Sequence, residues 1–175
     1  MILHGCAGRV NTGPMAPSAI ERFTAACAEV GFEPAAATRY PDGTRTAADA
    51  AAAVGCDVGQ IVKSLVFWAD DAPLLALTSG ANRVDVSKLQ AAAAVAELRQ
   101  ANANEARDAT GFAIGGTPPF GHKTQIRTLV DVDLLSWSEV YAAAGTPDSC
   151  FPLSPGDLLR VSGATEADFA ERPAK

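Results

Sequence analysis

The chain has 175 residues, 48% of them hydrophobic and 19% charged, with 15 Gly and 11 Pro, a composition that suits one soluble globular domain with a proper core. Its formal net charge of -6 argues against a protein that coats DNA or RNA nonspecifically, because such binding needs dense Lys and Arg set against phosphates. No run is long and apolar enough to span a membrane, and the scattered Cys6, Cys27, Cys56 and Cys150 form neither a C-x-x-C pair nor a zinc set, which points to free thiols in a reducing cytoplasm.

Residues 1–14 lack the apolar core of a secretory signal and read as a disordered extension, with Met15 a candidate start. Ser18 and Glu21 form a capping box, Ile20, Phe23, Cys27 and Val30 make an apolar stripe at helical spacing, and Gly31 is a stop. A short strand is expected near residues 35–40, then a turn at Pro41-Asp42-Gly43. Thr46 with Asp49 caps a second helix from Ala47 to Val54, ended by Gly55. Residues 60–68 form a strand, Asp70 to Pro73 a turn, and Leu74 to Thr78 a returning strand, so the two pair as a hairpin.

Ser79 to Asn82 is a loop, and Ser87 caps a third helix over Lys88 to Val95. A short strand at Glu97 to Gln100 precedes a helix opened by Asn102 and Glu105 and closed by Gly111. After an unusual loop from Phe112 to His122, a strand runs over Thr124 to Val132, a short helix over Ser138 to Ala144, a strand over Cys150 to Leu153, and a last helical turn from Ser154-Pro155 to Leu159. The tail beyond Gly163 reads as loose. The expected organisation is thus a single domain over residues 15–165 with a loose tail at 166–175. Strands and short helices mix without regular β-α-β alternation, which favours a mixed α/β or α+β domain over a doubly wound parallel one.

Chemistry concentrates in two places. Lys63 stands inside the apolar strand Ile61 to Trp68, and an ammonium there loses hydration unless it finds partners or a wet pocket. It is read as an electrostatic anchor for a phosphate or carbonyl, as a Schiff-base nucleophile, or as a strand-end lysine reaching solvent. Ser64 alternates to the opposite face, so no Ser-Lys dyad is expected. In the second place, Gly115-Gly116 brings backbone amides close to a ligand and Pro118-Pro119 stiffens the loop, as an anion or oxyanion site needs; a rigid structural turn explains the same pattern. His122 follows, either as a proton-transfer or orienting group or as a packing residue. No carboxylate pair, nucleophile elbow or metal-ligand spacing stands out, which leaves positioning and backbone electrostatics as the main tools of catalysis.

The ordered set Thr46…Gly55, Gln60 to Phe67, Thr78 to Asp85, Thr110-Gly111-Phe112, Gly115 to Gly121 and Leu153 to Leu158 resembles the YbaK/ProX family, relatives of the editing domain of bacterial prolyl-tRNA synthetase. The resemblance covers residues 18–165 and implies a curved mixed β-sheet or barrel flanked by helices. It implies hydrolysis, in trans, of the ester joining a wrong amino acid to tRNA, in particular a small amino acid on tRNA-Pro, without a cofactor or metal. Lys63 matches the family's active-site lysine, which contacts the terminal adenosine or its phosphate. Gly115 to Pro119 matches a G-x-x-x-P loop whose backbone holds the aminoacyl group, so the catalytic set is Lys63, Gly115 and Pro119. Thr46, Gly80, Asn82, Gly116, Thr117, Pro118 and His122 make up the expected substrate contacts. A ribose hydroxyl of the tRNA end is expected to position the water.

The partner implied is the tRNA acceptor end, held weakly by a basic rim of Lys63, Arg83, Lys88, Lys123 and Arg127. Docking on an aminoacyl-tRNA synthetase or an elongation factor is a route to higher local concentration. A non-catalytic tRNA- or nucleotide-binding module, and a hydrolase of free amino-acid esters, are the competing readings.

Overall fold

The computed structural model describes residues 16–34, 37–40 and 46–171. The extension at 1–14 and the turn at residues 41–43 lie outside the described residues. Helix α1 (Ala19–Glu29) starts at the Ser18–Glu21 capping box and buries Phe23, Ala26 and Cys27. Strand β1 (Thr38–Arg39) follows, then α2 (Ala47–Val54), whose N-cap Thr46 accepts from the Asp49 amide and whose C-cap Gly55 is left-handed. A 3-10 turn (Val58–Gln60) leads into β2 (Val62–Ala69), which pairs antiparallel with β3 (Ala72–Ser79). The hairpin turn is shorter than expected, with Ala72 and Pro73 already in the strand. Pro73 is tolerated there because the next strand on that side pairs only from Leu74 onward, so its missing N–H removes no ladder bond.

Helix α3 runs Val86–Ala93 and is capped by Asp85, whose carboxylate accepts from the Lys88 amide; the expected cap at Ser87 lies two residues too late, inside the helix. Strand β4 (Leu98–Gln100), helix α4 (Ala103–Thr110), strand β5 (Arg127–Asp131) and a 3-10 turn (Val132–Ser136) come next. Residues 138–144 are not a helix. Strand β6 (Val140–Ala143) occupies them and pairs antiparallel with β7 (Ser149–Leu153). Its burial alternates, with Val140 and Ala142 buried between half-buried neighbours, and this pairing overrides the helix preference of the alanines. Helix α5 (Pro155–Ser162) is a full two turns, and β8 (Thr165–Ala167) adds in parallel to β5.

The expectation of a loose tail fails through residue 171. Beyond β8, Phe169 and Ala170 are fully buried, the Phe169 carbonyl accepts from the Asp85 amide, and the Glu171 amide donates to Arg83. One aromatic in a polar stretch is enough to hold the segment because it fills a core.

The strands form a mixed five-stranded sheet, ordered β4-β2-β3-β5-β8, and a three-stranded sheet, ordered β1-β7-β6. The fold is α+β as expected, but the sheets do not close into a barrel. Among the described residues they meet at one bridge, Ile61 with Tyr141. The larger sheet is covered on both faces. One face packs Val62, Val66, Leu75, Leu77 and Val130 into a core with the aromatic cluster of Phe23, Phe32, Phe120 and Phe151. The other packs Phe67, Leu74, Ala76 and Leu129 against Leu89 and Phe169. No described helix is long and apolar enough to cross a membrane.

Candidate active site

The site lies where the two sheets part. Strand β4 pairs with β2 only from Phe67 to Ala69, and the bridge to β6 is at Ile61. Between these contacts, among the described residues, no strand lies beside the β2 edge from Val62 to Leu65. A cavity of about 270 Å³ occupies the gap, walled by Ile61 to Leu65, by Thr46, Ala47 and Ala50 of the α2 end, by Ile114, Gly115 and Thr117, and by Tyr141, Ala143, Ser149 and Cys150. The Ala101 amide bonds the Val66 carbonyl and the Asp70 amide bonds the Glu97 carbonyl, so even-numbered residues of β2 turn their peptide groups to this edge. Antiparallel alternation therefore puts the Ser64 N–H and C=O on the open edge.

Lys63 is half-buried, and its Nζ donates to the Asn82 backbone carbonyl at 2.5 Å. Burial holds the ammonium below the ordinary lysine pKa; the Asp131 carboxylate works against that, and Arg83 adds to it. Asn82 is itself clamped, its side-chain amide donating to Asp131 and to Asp133, each at 2.7 Å. Asp131 is fully buried and also accepts from the amides of Ser79 and Asp133. The walls opposite Lys63 are uncharged at neutral pH. Burial pushes the Cys150 thiol up to about 11, and a hydrogen bond to Glu139 pushes the Tyr141 phenol up to about 12.

Of the residues singled out from the sequence, Lys63, Thr46, Gly115 and Thr117 line this one cavity. The others do not. Gly80 packs beneath it: its amide donates to the Ile61 carbonyl, and a Cβ there would sit 2.3 Å from the Val58 carbonyl oxygen. Asn82 serves Lys63 instead of facing the cavity. Gly116 packs against the backbone of Thr146, 2.8 Å from where its Cβ would stand. The loop turns inward after Gly115, so that Gly116 to Phe120 are all buried. Pro119 and His122 line a separate groove with Ala26, Glu29 and Val161. His122 Nε2–H donates to the Pro118 carbonyl at 2.8 Å, and burial holds its imidazole below the ordinary pKa despite that bond. These contacts are those of a packing residue.

Of the basic residues expected at the rim, Lys63 alone lines the cavity. None of Arg83, Lys88, Lys123 and Arg127 lines the cavity; Lys88 is tied to the Ala170 carbonyl and Arg127 to the Ala93 carbonyl. Sequence reasoning passed over Ser64, Tyr141, Ser149, Cys150 and Ile114. Ser64 was set aside because it alternates away from Lys63, yet a cavity at a strand edge is reached from both faces. Its hydroxyl is enclosed and has no hydrogen-bond partner. Ile114 is 63% exposed, a large apolar side chain at the rim.

Residues 41–161 match the family model of the aminoacyl-tRNA editing domain. A solved structure described as a "putative trans-editing enzyme for prolyl tRNA synthetase" superposes with a TM-score of 0.84 at 44% identity, covering 90% of this chain and 99% of that one. Protein YwhH of Bacillus subtilis is 29% identical over 71% of this chain and 80% of its own length. The "Putative Cys-tRNA(Pro)/Cys-tRNA(Cys) deacylase EbsC" of Enterococcus faecalis is 27% identical over 74% of this chain and 78% of its own. The match spans both the β2 strand with Lys63 and the Gly115 loop. The chain belongs to the aminoacyl-tRNA editing domain family.

Proposed function

We propose that the protein is a trans-editing deacylase, which hydrolyses the ester of a small non-cognate amino acid on mischarged tRNA, with tRNA-Pro the first candidate. The observation that carries this reading is the shared cavity of Lys63, the open Ser64 edge and the Gly115–Thr117 segment. Its volume of about 270 Å³ lies below the roughly 300–1,000 Å³ of sites that engulf drug-sized ligands, so it suits an aminoacyl group and leaves the nucleotides at the mouth. Walls of Ala47, Ala50, Ile61 and Ala143 limit the amino-acid side chain by size. Size alone rejects a near-isostere weakly, since one methylene is worth about 1–3 kcal/mol.

Lys63 supplies the positive charge at this cavity and anchors the phosphate or ribose of the terminal adenosine. Cys150 and Tyr141 are protonated and unsuited to act as bases at neutral pH. The aminoacyl ester is labile, so backbone groups that fix water and polarise the carbonyl, helped by a ribose hydroxyl of the substrate, suffice. With a formal net charge of -6 and Lys63 the one basic residue lining the cavity, affinity for the tRNA body is weak. Docking on a synthetase or elongation factor compensates by raising local concentration.

The test is deacylation of a panel of mischarged tRNAs by wild type and Lys63→Ala. The wild type is expected to clear a small amino acid from one of them, and Lys63→Ala to lose about 10²-fold or more in kcat/KM. Absence of turnover on every charged tRNA overturns the activity. Full activity in Lys63→Ala overturns the site, and equal hydrolysis of free amino-acid esters removes tRNA as the substrate.

A further inference from the structure

The faces of the large sheet are organised in rows across β2, β3 and β5. On the Lys63 face, Leu65, Ala76 and Leu129 are aligned in one row. The next row along β2 and β3 is Lys63 beside Thr78, and Asp131 of β5 follows Leu129 by two residues, so it continues that row on the same face. The row turns from apolar to polar where the sheet reaches the cavity. Asp131 is fully buried, yet among the described residues its hydrogen-bond donors, Ser79, Asn82 and Asp133, are neutral amides, and it makes no ion pair within 4.0 Å. Between the two charges the buried Thr78 hydroxyl has no hydrogen-bond partner. A buried carboxylate and a half-buried ammonium, each short of a counter-charge, thus share one row. Two strand spacings separate the backbones by roughly 10 Å, which the length of the lysine side chain shortens. Asn82 ties the two ends together, donating to Asp131 from its side chain and accepting from Lys63 with its backbone.

We propose that Asp131 is a positioning residue for Lys63: its buried carboxylate supplies the counter-charge that keeps the ammonium protonated at the cavity, and through Asn82 it fixes where the ammonium sits. Asp131 touches no substrate in this arrangement. The other groups facing Lys63 are Arg83 in the loop after β3, Asp133 beyond β5, and Tyr141 and Cys150 across the cavity. The last two are pushed up, to about 12 and about 11, so they are neutral at the start of the Lys63 titration and ionise only toward its alkaline end. Asp133 accepts from the Asn82 side chain, and of the two carboxylates it is Asp131 whose charge acts on Lys63. The counter-charge is therefore Asp131, opposed by Arg83.

The sign follows. Asp131 raises the Lys63 pKa and Arg83 lowers it, so Asp131→Asn moves Lys63 deprotonation to lower pH and Arg83→Gln moves it to higher pH. The reading of catalysis above supplies the functional consequence, but the charge is measured without substrate. Lys63 is acetylated with acetic anhydride from about pH 7 to about pH 11, and its peptide is quantified by mass spectrometry. The expected result is a midpoint at lower pH in Asp131→Asn, which makes Lys63 up to about tenfold more reactive near the foot of the curve. In Asp133→Asn, which removes a comparable hydrogen bond to Asn82, the midpoint stays in place. The alkaline limb of deacylation moves with the acetylation midpoint.

A midpoint unchanged in Asp131→Asn, or shifted equally in Asp133→Asn, overturns the proposal. Should Asp131→Asn not fold, Arg83→Gln at an exposed position carries the test, and an unmoved midpoint there overturns the electrostatic account. A shifted midpoint in a protein whose wild type deacylates nothing leaves this coupling standing and removes the proposed function instead.

Discussion

The two ends of strand β2 share a sequence character and differ in everything else. From Phe67 to Ala69 the strand is paired on both edges, with β3 on one side and β4 on the other, and its side chains close a core with Leu74, Leu89 and Phe169. From Val62 to Leu65 it is paired on one edge only, and the other edge lines the cavity. Among the described residues the closed end has no enclosed polar side-chain atom without a partner, while the open end carries a half-buried ammonium and the unpartnered hydroxyls of Ser64 and Thr78. The difference teaches that the site is made by stopping strand pairing early. An unpaired edge presents backbone donors and acceptors already fixed by the sheet, which suits electrostatic work without reorganisation.

The sharpest way to break this comparison is at the closed end. Phe67→Ala should cost about 3–5 kcal/mol of stability in a denaturant titration, because a buried aromatic is lost from a packed cluster. Deacylation per folded molecule should be unchanged, and a specific loss of kcat at full folding would deny that the two ends are separable. Behind the cavity wall, Gly116→Ala should cost about 1–3 kcal/mol, since its Cβ meets the Thr146 backbone at 2.8 Å and backbone does not yield easily. Here kcat/KM should fall as well, because Gly115 and Thr117 move with the loop. A loss of stability with undiminished kcat/KM would remove the loop from the site.

His122 sharpens the contrast from the packed side. Its folded-state pKa is depressed by burial, so on acidification the unfolded chain takes up a proton first. Its contribution to stability is present above the ordinary histidine value and is lost as the pH falls through that value towards the folded one. Denaturation midpoints at about pH 7.5 and about pH 5.5 should differ less in His122→Asn than in wild type, with the pH profile of deacylation unaltered. A changed profile would restore the histidine to the chemistry. The smallest stability effect belongs to Ser64→Ala, within about 0.5 kcal/mol of wild type or slightly stabilising, because the hydroxyl bonds nothing in the folded chain. A fall in kcat/KM without a fall in stability would mark that hydroxyl as kept for substrate.

The helix starts were legible in the sequence because capping is local. Ser18, Thr46 and Asn102 each cap the helix expected of them with a side chain three residues away. The hairpin of β2 and β3 was legible for a similar reason, two apolar runs about a short turn. Residues 138–144 were misread because alanine-rich segments take the structure their neighbours impose, and the partner of β6 lies in β7. The tail was misread because Phe169 finds its core partners in distant strands. Lys63 and Gly115 were found because each breaks a local rule, a charge in an apolar strand and a glycine at a stiff loop. Pro119 and His122 were drawn in by proximity in sequence, and the inward turn after Gly115 took them to another groove.

By itself, the sequence determined the helix caps, the main hairpin, the family likeness and the one lysine that needed an explanation. All of these rest on interactions within a few residues or on the residue type itself. Only the tertiary structure decided that β2 gains its second strand partner only from Phe67 onward, that Ser64 shares a cavity with Lys63, and that Asp131 lies in the row of Lys63. Those facts depend on which strands lie side by side and in what register, and pairing between strands distant in the chain leaves no mark on either segment alone.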